Sequence, residues 1–163
     1  APLLLVRPQE GPPELDADPV PRRILVPLDG SPFGEQVVPL AVAVGTLAGA
    51  EYRLLRVVPP VLSSSGGGLG GGRTVADELR AEASGYLAGL TARVPAVRAA
   101  AAHVAADWPP AVAVLADADA SGVDLIAMET RGRSGLAKLL LGSVADKVVR
   151  GATVPVLLRR PTE

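Results

Sequence analysis

The sequence predicts an α/β fold, a parallel sheet with helices on both faces. Three observations carry that expectation. Short apolar runs of strand length alternate with longer segments whose apolar residues recur at helical spacing, and such alternation requires parallel pairing with right-handed crossovers. Hydrophobic residues make up 48% of the 163-residue chain while aromatics make up only 2%, so the core is expected to be built from Ala, Val and Leu. The length suits one domain with a sizeable core.

The first ten residues, APLLLVRPQE, repeat the last ten, VPVLLRRPTE, at an offset of 153, with identity at Pro2/Pro155, Leu4/Leu157, Leu5/Leu158, Arg7/Arg160, Pro8/Pro161 and Glu10/Glu163. That offset is about the size of one domain. Residues 1–10 are therefore expected to be a strand-like remnant of a preceding, similar domain, with Leu3 to Arg7 pairing beside the closing strand. The alternative is a chance match between two apolar strands. Residues 11–21, rich in proline and acid, are the expected linker, and 22–163 the domain itself.

Arg23 to Leu28 reads as a buried strand ended by Asp29-Gly30. Ser31 then Pro32 fits an N-cap and first helical position, and the helix is expected to reach Ala48 with Val37, Leu40, Ala41, Val44 and Leu47 on one face. Glu51 to Val58 is the second strand, stopped by Pro59-Pro60. The tract SSSGGGLGGG follows as a low-complexity connector. GGLGGGRT, Gly67 to Thr74, imitates a phosphate-binding loop, but a glycine tract satisfies glycine patterns trivially and no strand feeds directly into this one. Thr74 to Ala92 is helical by pattern, with Val75, Leu79, Ala83, Tyr86, Leu87 and Leu90 apolar. Val97 to Ala105 is assigned as the third strand from its place between two helices, against alanine's helical propensity. His103, the only histidine, falls there and lacks a cysteine or second histidine to share a metal. Trp108-Pro109-Pro110 opens a helix through Ala120, and Leu125 to Met128 is the fourth strand. The last helix is expected to start at Ser143 and end on Gly151 as its C-cap, with Val154 to Arg159 closing the sheet.

Charge and composition exclude several partners. With 16 basic and 17 acidic residues the formal net charge is −1, which gives no overall attraction to nucleic acid or to an anionic membrane. Few aromatics means few platforms for base stacking. The absence of cysteine excludes disulfides and thiolate metal sites. No apolar run reaches the length of a membrane span and no signal peptide is recognisable, so the expected location is cytoplasmic.

Chemistry concentrates in Leu125 to Arg150, LIAMETRGRSGLAKLLLGSVADKVVR, a strand, a basic loop and a helix. Ser143 followed three residues later by Asp146 approximates a capping box, which turns the helix's free N–H groups back toward the loop. A helix N-terminus favours an anion, Arg131, Arg133 and Lys138 add positive charge, and Gly132 and Gly142 let the backbone approach a ligand. This is a candidate phosphate site, weighed against a basic surface loop ahead of an ordinary capped helix.

TRGRSGLAKLLLGSVADKVV followed by VPVLLRR, together with the ILVPLDGS text at the first strand, resembles a universal stress protein domain over roughly residues 22 to 160. ATP-binding members of that family show a glycine, two residues, a second glycine, nine residues, then glycine with serine or threonine. Here Gly132 is the second glycine, nine residues run from Arg133 to Leu141, and Gly142-Ser143 closes the motif. Glu129 stands where the first glycine belongs. The resemblance implies a Rossmann-like, doubly wound five-stranded sheet in the order 3-2-1-4-5, which sets Asp29 beside the Gly132 loop. It implies an ATP site, with Mg2+ as the accompanying ion. Asp29 and Val57 would hold the nucleoside, Gly132, Arg133, Gly142 and Ser143 the phosphates, with Arg131, Met128 and Val144 as further members. It also implies a stress sensor or regulator with little or no hydrolysis, pairing with itself or a tandem domain through the C-terminal strand. The rival reading is a nucleotide-free dimerisation module, for which Glu129 is the best evidence. A carboxylate beside a triphosphate costs on the order of 1 kcal/mol per close charge pair even when well solvated. A hydrolase reading lacks any convergent nucleophile and base.

Overall fold

The fold is built on a six-stranded sheet, seen in a computed structural model that describes residues 2–6, 20–60, 74–97, 100–106, 109–130 and 142–160. In chain order the elements are β1 (Leu3–Leu5), β2 (Arg23–Leu28), α1 (Pro32–Glu35), α2 (Val37–Ala48), β3 (Glu51–Val57), α3 (Val75–Arg93), β4 (Ala101–Ala105), α4 (Pro110–Ser121), β5 (Leu125–Glu129), α5 (Ser143–Gly151) and β6 (Val156–Arg159). The spatial order is β1-β6-β5-β2-β3-β4. Strands β2 to β6 are parallel and follow the expected 3-2-1-4-5 order; β1 adds a sixth, antiparallel strand beside β6. The glycine tract of Gly67 to Arg73, residues 11–19 of the linker and the Gly132 loop lie outside the described residues.

Strand alternation sends side chains into two cores. Leu25, Leu55, Ile126, Met128, Val156 and Leu158 face α4 and α5, where Val114 and Val148 meet them. Ile24, Val26, Leu54, Ala127 and Leu157 face α2 and α3, packing with Ala41, Leu87 and Leu90. A strand buried on both faces must be apolar at every position, and this is why RILVPL was legible as β2 to the residue.

Five local expectations are corrected. The helix expected from Pro32 to Ala48 is two helices broken at Gln36. Pro39 has no N–H to donate to the Glu35 carbonyl, and its ring crowds that carbonyl. The buried stripe of α2 is Val37, Val38, Ala41 and Gly45, and Leu47 is 89% exposed because it lies about 200° around the helix from Gly45. The third strand starts at Ala101 rather than Val97, which is the buried end of a 3-10 turn over Pro95–Val97. In α5 the N-cap is Gly142, no side chain caps it, and Asp146 pairs with Arg150 at 2.9 Å instead of reaching back; Gly151 is still helical and Ala152 is the C-cap. The helix of Thr74, by contrast, carries a full capping box with Asp77.

Candidate functional site

The winding of the sheet reverses between β2 and β5, which pair in parallel, and the crevice at such a reversal lies beyond the carboxyl ends of the strands. Asp29 follows β2 directly. Its Oδ1 accepts from the Ser31 N–H at 2.9 Å and from Ser31 Oγ–H at 2.5 Å, while Ser31 Oγ caps the Gly34 N–H at 3.0 Å. The turn between them depends on two glycines. Gly30 takes φ +81°, which side-chain-bearing residues rarely adopt, and a Cβ on Gly34 would stand 2.6 Å from Asp29 Oδ1. Arg56 lies against the same turn, donating from Nη1 to the Leu28 carbonyl at 3.4 Å. Gly34 and Arg56 were not foreseen as site residues; the only sequence signal for Arg56 is its place one residue before Val57 at a strand's carboxyl end.

The other expected members fall as follows. Val57 ends β3 opposite Ala105, half-buried, with its side chain in packing and the next N–H, that of Val58, given to the Ala105 carbonyl at 2.8 Å. Met128 is buried in β5 against α4 and α5. The carboxyl ends of β3, β2 and β5 thus stand side by side, bringing Val57, Asp29 and Met128 to one rim of the sheet. Gly142 opens α5 and takes the Asp146 N–H on its carbonyl at 2.9 Å; Ser143 is exposed in the first turn and Val144 packs partly into the core. Arg131, Gly132 and Arg133 lie outside the described residues.

Glu129 is the unusual group of this rim. Both of its carboxyl oxygens are buried without a hydrogen-bond partner among the described residues. Arg159 is its register partner on β6, but the Arg159 guanidinium donates from Nη1 to the Gln36 carbonyl. Burial pushes the Glu129 carboxyl up to about 7, with Arg159 opposing the rise and Asp29 adding to it. The folded chain therefore keeps a proton that the unfolded chain loses near its ordinary value of 4.5, so stability falls as pH rises from about 4.5 to 7 and is level above that. Glu129→Gln is expected to raise stability by about 1 kcal/mol at pH 8, allowing for solvent screening at a partly open rim, and to leave it unchanged at pH 4. Urea midpoints at the two pH values check this. A gain of equal size at both would show that burial of the charge is not its source.

Nearby, the Tyr86 hydroxyl is buried, and burial first, then the Glu35 carboxylate, holds its pKa above the usual phenol value. Arg93 grips Glu35 through both guanidinium ends at 3.2 and 3.1 Å, tying α3 to α1 beside Asp29. A cleft of ≈ 640 Å³ lies at the opposite, amino end of the strands, lined by Arg22, Arg23, Glu51, Gly122 and Asp124. Its carboxylates already serve the fold: Asp124 accepts the backbone N–H groups of Arg22 and Arg23 at 2.9 and 3.0 Å, and Glu51 pairs with Arg23 at 3.4 Å. The carboxyl rim is the better candidate. Among the described residues no group of three metal-ligating side chains occurs, and no helix is long and apolar enough to cross a membrane.

Comparison with known proteins agrees with this fold. The model of the universal stress protein family matches residues 21–160. A universal stress protein of Methanocaldococcus jannaschii is 45% identical over 49 residues, a stretch that covers 30% of this chain and 29% of that protein. A solved universal stress protein in complex with cAMP is 21% identical with a TM-score of 0.65, covering 88% of this chain and 99% of that one. A universal stress protein structure from Archaeoglobus fulgidus, at 21% identity and a TM-score of 0.60, covers 99% of this chain but 50% of its own.

Proposed function

This chain belongs to the universal stress protein family, and on that premise we propose that it binds an adenine nucleotide across the carboxyl ends of β2 and β5 and acts as a sensor or regulator with little or no hydrolysis. The observation that carries the reading is the strand reversal, which sets the Asp29 turn and the carboxyl end of β5 side by side, with α5 following from β5. Among the described residues no side chain caps the first turn of α5, which leaves its N–H groups to phosphate oxygens, joined by Ser143 Oγ, the Gly132 backbone and Arg133. Asp29 and the backbone at Val57 hold the nucleoside, Arg131, Met128 and Val144 complete the rim, and ATP arrives with Mg2+. The cAMP bound by the solved relative supports adenine as the base. Glu129, neutral in part near pH 7, repels phosphate less than an ordinary glutamate in the motif glycine's place.

Residues 22–163 are the domain in this reading, 11–21 a linker and 1–10 the closing strand of a preceding similar domain, and the protein acts in the cytoplasm. A second reading, a pairing module without nucleotide, is favoured by one observation, the strand pairing at β6.

Calorimetric titration of nucleotide-stripped protein with ATP and Mg2+, beside Gly142→Val, tests the first reading. Gly142 has φ −59° and ψ 154°, which valine adopts without strain, so the variant is expected to fold. Saturable binding weakened at least about tenfold by the variant, a loss of about 1.4 kcal/mol, is the expected outcome. No heat at millimolar ATP would remove the sensor reading and leave the pairing module.

A further inference from the structure

We infer that Glu129 is a sugar-side residue of the proposed nucleotide site, taking a ribose hydroxyl beside Asp29 and making the site selective for ribonucleotides over their deoxy counterparts. The inference rests on the nucleotide reading above. It assigns a recognition role to the one residue at which the chain departs from the glycine motif.

Strand alternation fixes the direction of the side chain. Ile126 and Met128 turn to the core shared with α4 and α5, while Leu125 and Ala127 turn to the core shared with α2 and α3. Glu129 continues the second series, so its side chain leaves the sheet on the face of α1 and α2. Its surroundings agree. Arg159, its register partner, reaches the Gln36 carbonyl between α1 and α2, and the charge of Asp29 acts on the Glu129 carboxyl. The first turn of α5, where the phosphates are placed, packs on the other face through Ala145. A glutamate at this position therefore turns away from the phosphates and toward the nucleoside.

The chemistry of the group selects the sugar. Both Glu129 oxygens are enclosed without a hydrogen-bond partner among the described residues, and a ligand group that completes them removes that cost. The cations around it are engaged elsewhere: Arg159 on the Gln36 carbonyl, Arg56 on the Leu28 carbonyl and Arg93 on Glu35. Because burial raises its pKa to about 7, the carboxyl is present in both protonation states at neutral pH. The ionised form only accepts hydrogen bonds, whereas the protonated form also donates one. A phosphate oxygen suits the protonated form alone, and the adenine amine, a donor, suits an acceptor oxygen alone. A hydroxyl donates and accepts, so a ribose hydroxyl serves the carboxyl in either state.

Position leads to the same group. The sheet order β5-β2-β3 sets the Asp29 turn between Glu129 and Val57. A base held at Val57 is two strand spacings, roughly 10 Å, from β5, whereas a sugar at Asp29 is beside it. Glu129 is the last residue of its strand and is only half-buried, so a change of one rotamer brings the carboxyl to the strand end next to Asp29.

Calorimetric titration of the full chain with ATP, 2′-deoxyATP and 3′-deoxyATP, beside Glu129→Gly and Glu129→Gln, tests the inference, with circular dichroism showing that each variant is folded. The natural chain is expected to bind at least one of the deoxy nucleotides about tenfold or more weakly than ATP, since a site that hydrogen-bonds a hydroxyl rejects the analogue lacking it. Glu129→Gly is expected to bring the three affinities within about threefold of one another. Glu129→Gln, whose amide also donates and accepts, is expected to keep the preference. Equal affinities in the natural chain overturn the inference without any variant. So does a preference undiminished in Glu129→Gly, which would assign the hydroxyl to Asp29 alone, and so does a gain in ATP affinity there with the preference intact, which would turn Glu129 toward the phosphates. Absence of heat with all three nucleotides removes the nucleotide reading and this inference with it. ATP binding without preference removes this inference only.

Discussion

Ile126→Ala is expected to lower the free energy of unfolding by about 3 kcal/mol, whereas Leu47→Ala is expected to change it by less than about 0.5 kcal/mol. Ile126 is fully buried in β5, the strand between β2 and β6, with Leu25 and Val156 as its register partners. Removing its outer carbons leaves a cavity facing α4 and α5 that two neighbouring strands prevent from collapsing, so both the transfer and the cavity costs are incurred. Leu47 is 89% exposed, and its truncation takes nothing out of the core. Against a typical stability of about 5–15 kcal/mol the first loss is large, and it lowers a urea midpoint by about 1.5 M for a slope near 2 kcal/mol/M. Equal shifts for the two variants would contradict the packing described for α2.

Asp117→Ala is the other large loss, about 2–4 kcal/mol at pH 7. Asp117 sits in α4 with 7% of its surface exposed and takes Arg53 Nε at 2.7 Å, Arg53 Nη2 at 2.6 Å and His103 Nδ1 at 2.6 Å. The carboxylate accepts and His103 Nδ1–H donates. Burial by itself raises the Asp117 carboxyl; the hydrogen bonds from Arg53 and His103, with their charges, outweigh it and hold the group below its ordinary value of 3.8. A depressed folded-state pKa contributes stability that is fully present above the unfolded value and lost as pH falls through the folded one. The difference between the natural chain and Asp117→Ala is therefore expected to shrink below about pH 4. Paired replacement of Arg53 and Asp117 by leucine is expected to recover much of the loss, because no charge is then left buried alone. Urea unfolding of the two variants at pH 7 and pH 3 checks both statements. A pH-independent penalty for Asp117→Ala would assign the loss to packing.

His103 shows why part of the molecule was illegible beforehand. In sequence it is a lone histidine, since its partner Asp117 is 14 residues away on another element and Arg53 is a further strand away. Hydrophobic periodicity reports which face of an element is buried, and it placed Leu87 and Leu90 correctly. It carries no information on which polar side chain crosses a layer to meet which. The break at Gln36 is different in kind, for the missing N–H of Pro39 marks it locally even though the apolar stripe runs on past it. In α5 the pattern of Ser143 and Asp146 suggested a box, but Arg150 one turn on competes for the same carboxylate and holds it.

Sequence alone determined the α/β class, the ranges of β2 and α3 nearly to the residue, and the placing of Asp29, Gly142 and Ser143 at element ends. Each follows from short-range rules, the period of the apolar pattern and the chemistry of turns and caps. Only the tertiary structure decided that Gly34 must be bare against Asp29, that Arg56 lies on the Leu28–Gly30 turn, that Arg159 serves the Gln36 carbonyl, and that the Glu129 carboxyl oxygens are buried without a hydrogen-bond partner among the described residues. It also decided that β1 meets β6 with Leu4 on Leu157. The physical reason is common to all five: hydrogen bonds, desolvation and strand register act over a few ångströms in space, between residues that the sheet order brings together from distant parts of the chain.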